Sequence, residues 1–172
     1  MTAHPLLTAL LPLVDDLSRD LPEGERYRRL LQALRGLMPC DATALLRLEG
    51  ETLVPLAVDG LSTDTLGRRF KVAEHPRLVA LLAQAGPTRF AADCGLPDPY
   101  DGLVEGHSGQ LEVHDCLGCP LFIDDRPWGL LTLDALNPAR FGQLDLDNLE
   151  TFARLAAATV KATERLQALA RR

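Results

Sequence analysis

Positive charge is scarce in this chain, and long hydrophobic runs are absent. Its 172 residues hold 18 Lys plus Arg against 24 Asp plus Glu, for a formal net charge of −6. We do not expect direct nucleic-acid binding, because such binding requires a basic patch. Apolar segments are interrupted by proline or charge before the roughly 18–20 residues that cross a bilayer. No basic residue precedes the first apolar run, as a secretory signal would require. We therefore expect a cytoplasmic protein without a membrane span.

Cysteine is also sparse, and several enzyme signatures are missing. The four cysteines are too few for a disulfide framework in a chain of this length, so we expect thiols available for a metal or for redox chemistry. The chain contains no dinucleotide-binding glycine motif, phosphate-binding loop, serine-hydrolase elbow or H-E-x-x-H pair. We predict that it is not an enzyme.

What is present is ordinary globular composition, with 47% hydrophobic and 24% charged residues. Apolar periodicity predicts helices at both ends of the chain and strands between them. Pro12 should kink or restart the first helix, and Pro55 should confine its strand to a sheet edge. The predicted helices cover 6–17, 22–38, 76–86 and 145–172; the predicted strands cover 42–48, 52–58, 88–90, 113–121 and 128–133, with a turn over 124–127.

This order of elements predicts an α+β domain with a central antiparallel sheet, helices packed on one face and long N- and C-terminal helices. We expect a single domain over 1–172, with N-terminal helices in 1–39, the sheet and a ligand-binding loop in 40–142, and a C-terminal signalling helix in 143–172. The last helix would be roughly 40 Å long, more than a domain of this size needs to cover itself. A homodimer through the end helices is therefore expected.

The clearest group of chemically useful residues follows a long irregular loop over 91–111, a length that is uncommon in compact domains unless the loop binds something. His114 and Cys116 stand two apart in the next strand, so they should face one side of the sheet. Asp134 ends the following strand, and Asp101 lies on the loop. If the strands pair and the loop folds back, one imidazole, one thiolate and two carboxylates converge.

This donor set suits Fe(II), Zn or Cu, and donor type alone does not decide among them. A structural interpretation stays open, in which His114 is a satisfied strand histidine, Cys116 a small core residue and both aspartates serve turns. Cys116 and Cys119 also form a C-x-x-C, which is typical of a redox pair or half a zinc site, with Cys94 as a resolving thiol. Arg77 lies in the first turn of its helix, either solvated or reaching a carboxylate-rich pocket.

Several segments together carry a resemblance to a known family: CDATALLRLEG, PLAVDGLSTDTLGRRF, HPRL, LPDPYDGL, VHDC and LTLD. In this combination the chain resembles the GAF sensor domains of the nitric-oxide-responsive transcription activators of the NorR family. The similarity covers residues from about 30 to 141.

The resemblance implies a mononuclear non-haem Fe(II) that binds nitric oxide, with Asp101, His114, Cys116 and Asp134 as ligands. It also implies release of a neighbouring AAA+ ATPase domain of the same regulator, which activates sigma-fifty-four-dependent transcription of nitric oxide detoxification genes. Guanidinium is a donor-only cation, so we expect Arg77, like Asp98, to support the ligands or transmit the signal. Two alternatives stay open: a thiol enzyme resembling a GAF-type methionine sulfoxide reductase, and a metal-free GAF module that binds a small molecule.

Overall fold

The computed structural model describes residues 4–101, 103, 104 and 114–171. Within them, four α-helices and six β-strands confirm the predicted α+β class and the long terminal helices. In chain order the elements are α1 (Pro5–Leu17), α2 (Glu23–Leu37), β1 (Ala42–Glu49), β2 (Thr52–Asp59), β3 (Phe70–Lys71), α3 (Pro76–Leu82), β4 (Thr88–Phe90), β5 (Asp115–Ile123), β6 (Arg126–Ala135) and α4 (Gln143–Ala170).

The described strands form one antiparallel sheet in the order β3-β2-β1-β6-β5-β4. The β1–β2 hairpin turns at Gly50, which has φ 63°. The β5–β6 hairpin turns at Asp124 and Asp125, both with positive φ, as a two-residue turn matched to strand twist requires. The predicted turn over 124–127 is therefore shorter than expected, because Arg126 and Pro127 already pair within β6.

The two faces of the sheet carry different structures. The helix face is covered by α1, α2 and α4, whose apolar side chains include Leu13, Tyr27 and Phe152. The loop face is covered by α3 and the segments around 60–75 and 91–101, with Leu78 and Tyr100 in its core. The expectation of helices on one face is confirmed for α1, α2 and α4, whereas the short α3 lies on the other face.

The expectation for Pro55 is wrong, whereas at Pro12 a restart of the helix is excluded and a kink stays a prediction. Pro12 lies inside α1 without ending it, because α1 is held against α2 by buried Leu13 and by the ion pair of Asp16 with Arg29 at 2.8 Å. Strand β2 is not the sheet edge, because β3 pairs with Thr52 and Leu53. Pro55 follows this short pairing and is paired with Leu46 of β1 beside a bulge, a position where proline is tolerated in sheets.

The helices also differ in detail from the predictions. Helix α3 ends at Leu82 rather than at Gly86. Helix α4 has 28 residues, about 42 Å at 1.5 Å per residue, and its buried positions end at Thr163. Leu166 and Leu169, predicted on its apolar face, are 50% and 61% exposed because they lie past the end of the helix-face core. No described helix is both long and apolar enough to cross a membrane.

Candidate metal centre

Strands β5 and β6 bring three of the predicted ligands to the loop face. His114 immediately precedes β5, and Cys116 lies directly opposite Asp134 in the register of the two strands. Alternate residues of a strand face opposite sides, and Cys116 indeed belongs to the loop-face core while Leu117 belongs to the helix-face core. All three side chains are buried, with 2–6% of each residue exposed.

The loop before the site contributes a fourth acidic side chain, Asp98. The Tyr100 backbone N–H donates to Asp98 Oδ1 at 2.9 Å, the two-residue pattern of an Asx turn. Tyr100 is buried, and its hydroxyl lies 2.9 Å from Thr132 Oγ1 on β6. This contact fixes the loop on the sheet, so Asp98 Oδ2 is directed at the residues of β5 and β6.

Asp98, His114 and Asp134 form one compact group. Each offers a donor atom, and these atoms all lie within 4.8 Å of one another. His114 Nε2 is 2.9 Å from Asp98 Oδ2, which is ion-pair distance for a protonated imidazole. Asp98 Oδ2, His114 Nδ1 and both Asp134 oxygens are buried without a hydrogen-bond partner. Buried polar atoms are normally paired, so the three unpaired carboxylate oxygens in this group fit a bound cation.

Arg77 lies beside this group and is 3% exposed. Its guanidinium donates from Nε and Nη2 to the Leu96 carbonyl at 3.1 and 2.8 Å. Nη1 is 3.5 Å from His114 Nε2 and 4.0 Å from Asp98 Oδ2. Helix α3 thus presents a fixed positive charge to the acidic group, as the pocket interpretation of Arg77 expected and the solvated one did not.

The two buried carboxyl groups have opposite pKa shifts. Burial raises the pKa of Asp134 well above its usual range, and the charge of Asp98 raises it further. Burial also acts to raise the pKa of Asp98, but the closeness of His114, the N–H of Tyr100 and the charge of Arg77 together lower it. Without a cation between them, these shifts favour a proton on Asp134 rather than on Asp98.

The thiols near the site differ in exposure. Burial raises the pKa of Cys116 well above its usual range, and the charges of Asp134 and Asp98 add to this effect. Cys116 is therefore a thiol at neutral pH unless a cation displaces its proton. Cys94 is exposed on the loop, and Arg77 Nη2 lies 3.6 Å from its sulfur.

Of the predicted site residues, the structure brings His114, Cys116, Asp134, Asp98 and Arg77 together. Asp101 lies outside the three-residue group and is half-buried, and its N–H donates to the Asp98 carbonyl at 3.2 Å. Sequence reasoning gave Asp98 a supporting role, although it contributes one of the three convergent donor atoms. It missed Tyr100 as the anchor of the loop. An aspartate two residues before a buried aromatic, across Pro99, is an Asx-turn signal that could have found both.

The C-x-x-C pair is divided by the sheet. Cys116 belongs to the loop-face core and Cys119 to the helix-face core. Residues three apart in a strand lie about 10 Å apart, beyond the roughly 7 Å between Cα atoms that a disulfide allows. All four cysteines are free thiols. A disulfide between Cys116 and Cys119 would therefore require strand β5 to unfold locally.

Residues 23–160 match the GAF domain family, four fifths of the chain. The chain belongs to the GAF family. This GAF domain is 49% identical over 168 residues to the nitric oxide reductase transcription regulator NorR1 of Cupriavidus necator, covering 95% of this chain and 33% of that one. It is 46% identical over 157 residues to the regulatory protein LuxO of Vibrio cholerae, covering 91% and 30%. It is 44% identical over 165 residues to the anaerobic nitric oxide reductase transcription regulator NorR of Serratia proteamaculans, covering 96% and 32%.

The predicted resemblance to the NorR family is thus confirmed, and this GAF domain spans about a third of the length of those relatives. Solved structures share its fold. The GAF domain of a phosphoenolpyruvate-protein phosphotransferase from Coxiella burnetii superposes with a TM-score of 0.75 at 20% identity, covering 95% of this chain and 97% of that one. A free methionine-R-sulfoxide reductase from Neisseria meningitidis gives 0.68 at 15% identity, covering 96% of each chain. At such identities the likeness concerns the fold alone.

Proposed function

We propose that this GAF domain senses nitric oxide through one non-haem Fe(II) bound at the loop face of its sheet. The observation that carries the proposal is the convergence of Asp98, His114 and Asp134, a buried group in which three carboxylate oxygens lack hydrogen-bond partners. Similarity to regulators named for nitric oxide reductase supports the choice of signal. Carboxylate and imidazole donors favour iron over the softer metals that a thiolate alone would select.

The proposed ligand set is Asp98, His114 and Asp134, whose donor atoms converge, together with Cys116, which lies opposite Asp134 across the two strands. When bound, ferrous iron supplies an open coordination position for nitric oxide. Two carboxylates would balance the charge of a divalent ion and a Cys116 thiolate would balance Arg77, so the buried site would be neutral as a whole. Neutrality matters because an uncompensated buried charge is strongly destabilising. Asp101 stays a predicted ligand outside this group, and metal binding to Asp101→Ala and Asp98→Ala compared in parallel distinguishes the two aspartates.

Arg77 has a different role, because guanidinium has no lone pair to offer a metal. Its contacts with the Leu96 carbonyl hold it between the Asp98 loop and His114. From there it keeps Asp98 ionised and offers a donor to a small diatomic ligand in the site. Arg77 also connects α3 to the site, so a movement of His114 or Asp98 would shift that helix as well.

The proposed biological setting follows from the longer relatives. This GAF domain would be the regulatory part of a cytoplasmic, sigma-fifty-four-dependent transcription activator that controls nitric oxide detoxification. Its output would be release of the neighbouring AAA+ ATPase domain, so it would act as a switch rather than as an enzyme. Sensing is then a local change of coordination that biases a two-state element of the protein.

A homodimer through the end helices is part of the proposal. Leu7, Leu11 and Val14 form an exposed apolar stripe along α1, each at least 50% exposed, and Leu166 and Leu169 extend the exposed apolar surface on α4. Such stripes normally pack against another helix. Sedimentation should show a dimer that Leu11→Glu dissociates, whereas a monomer at all concentrations would contradict it.

The test of the sensor function is anaerobic reconstitution with Fe(II), followed by nitric oxide and electron paramagnetic resonance. We expect one iron per chain and a high-spin signal from a single iron centre. His114→Ala should abolish both while circular dichroism shows a retained fold. Normal iron loading of His114→Ala would overturn the proposed site. Failure of the unchanged, reduced chain to bind iron would overturn the proposed function.

A further inference from the structure

The carboxylate of Asp115 lies between two predicted ligands in sequence but on the opposite side of the sheet. His114 and Cys116 face the loop face, whereas Asp115 is fully buried toward the helix face. Its neighbours there belong to the segment that leads into α4. No step of the proposed sensing uses this buried acid, although it shares its backbone with the site.

The Asp115 carboxylate forms a clamp on the entry of α4, made by its hydrogen bonds with Phe141, Arg89 and Cys116. Its Oδ2 accepts from the Phe141 N–H at 2.9 Å, and its Oδ1 accepts from Arg89 Nε at 2.8 Å and from the Cys116 N–H at 3.1 Å. Arg89 Nη2 donates in turn to the Pro138 carbonyl at 3.3 Å. Two points of the β6–α4 connection are therefore bound to β4 and β5 by charge-assisted hydrogen bonds, which are stronger than neutral ones.

The position of Phe141 allows this clamp to transmit a backbone movement from β5 to α4. Phe141 is 4% exposed in the helix-face core, and the next residue, Gly142, caps α4. A shift of the backbone at 114–116 moves the Asp115 carboxylate, and this moves the first turn of α4. Packed cores transmit such shifts because they have few voids to absorb them.

We propose that Asp115 is the positioning residue that couples the state of the metal site to helix α4. When His114 and Cys116 exchange their present contacts for a ligand, Asp115 carries the resulting shift through the sheet to Phe141. The inference rests on the proposed function, because it takes the loop-face group to be the sensing site. It adds to that function the route by which the signal reaches the C-terminal helix.

The test compares hydrogen exchange of the α4 entry, residues 141–149, with and without Fe(II). In the unchanged chain, iron should slow exchange there. Asp115→Asn keeps one acceptor but loses the charge that holds Arg89. It should retain iron affinity within about threefold, less than the roughly 10–100-fold cost of removing a ligand's own partner. Its iron-dependent slowing should fall by at least about threefold.

A matched control weakens the same helix end without touching β5. Asp145 accepts from the Gly142 N–H at 2.9 Å, so Asp145→Asn should speed exchange with and without iron while keeping the difference between the two. If Asp115→Asn does not fold, Arg89→Gln removes the other half of the clamp from a side chain that is 35% exposed. This variant should also reduce the iron-dependent slowing.

The outcomes separate the two proposals. Iron binding by the unchanged chain without any change in exchange at α4 would overturn the coupling and leave the sensor intact. So would full iron-dependent slowing in Asp115→Asn, or loss of iron binding by that variant. No iron binding by the unchanged chain would overturn both.

Discussion

The two faces of the sheet differ in the polarity of the side chains that they bury. On the helix face, large apolar side chains such as Leu30 and Phe152 are completely buried. On the loop face, Asp98, His114 and Asp134 are buried almost as deeply with donor atoms unpaired. Buried unpaired polar groups cost stability, so the helix face must supply what the loop face loses. Alternation of side chains along the strands thus places the larger apolar core on one face and the proposed metal site on the other.

The largest expected effect lies on the helix face. Phe152→Ala removes a fully buried ring from α4 and should lower the free energy of unfolding by about 3–5 kcal/mol. If the faces are independent, the molecules that remain folded should bind iron normally. Urea unfolding and iron titration of the folded fraction measure the two quantities. Loss of iron affinity in the folded fraction would show that the faces are not separable.

A pair of cysteine variants tests the separation with identical chemistry. Cys116→Ala should weaken iron binding by more than about 100-fold, beyond the cost of losing a ligand's supporting partner. Cys119→Ala removes an equally buried thiol from the other face and should leave iron binding unchanged. Anaerobic iron titration of both variants gives the comparison. Equal effects of the two substitutions would contradict the assignment of Cys116 to the site.

Asp134→Asn should separate metal binding from stability. It removes a proposed ligand and also removes an acidic group whose burial costs folding free energy. Burial raises the pKa of Asp134 in the folded protein. The unfolded chain ionises this group above about pH 4, so its cost to folding grows as pH rises. The iron-free variant should be more stable than the unchanged chain by about 1–3 kcal/mol at neutral pH, and the difference should shrink near pH 4. Urea unfolding with chelator across this range checks the sign; a less stable variant at neutral pH would refute it.

The smallest expected effect concerns the packing of α3. A Cβ at Gly118 would lie 2.7 Å from both terminal methyls of Leu81. Gly118→Ala should therefore push α3, and Arg77 with it, from β5 at a cost of about 1 kcal/mol. In a Leu81→Ala background the same substitution should cost nothing further. A double-mutant cycle by urea unfolding measures this coupling, and additive effects would exclude the contact.

Much of the fold followed from local rules, and the site followed only in part. Apolar periodicity located α2 and α4, and alternation along β5 placed His114 with Cys116 and away from Asp115. The side of the sheet taken by α3 depends on the close approach at Gly118, which no local pattern shows. The deeper burial of Asp98 than of Asp101 depends on Tyr100 reaching Thr132, a contact between residues 32 positions apart. Long-range contacts of this kind decide which of two nearby aspartates enters the group.

The direct pairing of Cys116 with Asp134 also bears on how this sequence tolerates change over time. A single residue inserted within β5 after His114 would move Cys116 to the helix face and Leu117 out of the helix-face core to the loop face. An insertion in the segment before His114 would leave the pairing untouched. Natural variants should therefore differ freely in length before the strand and almost never within it.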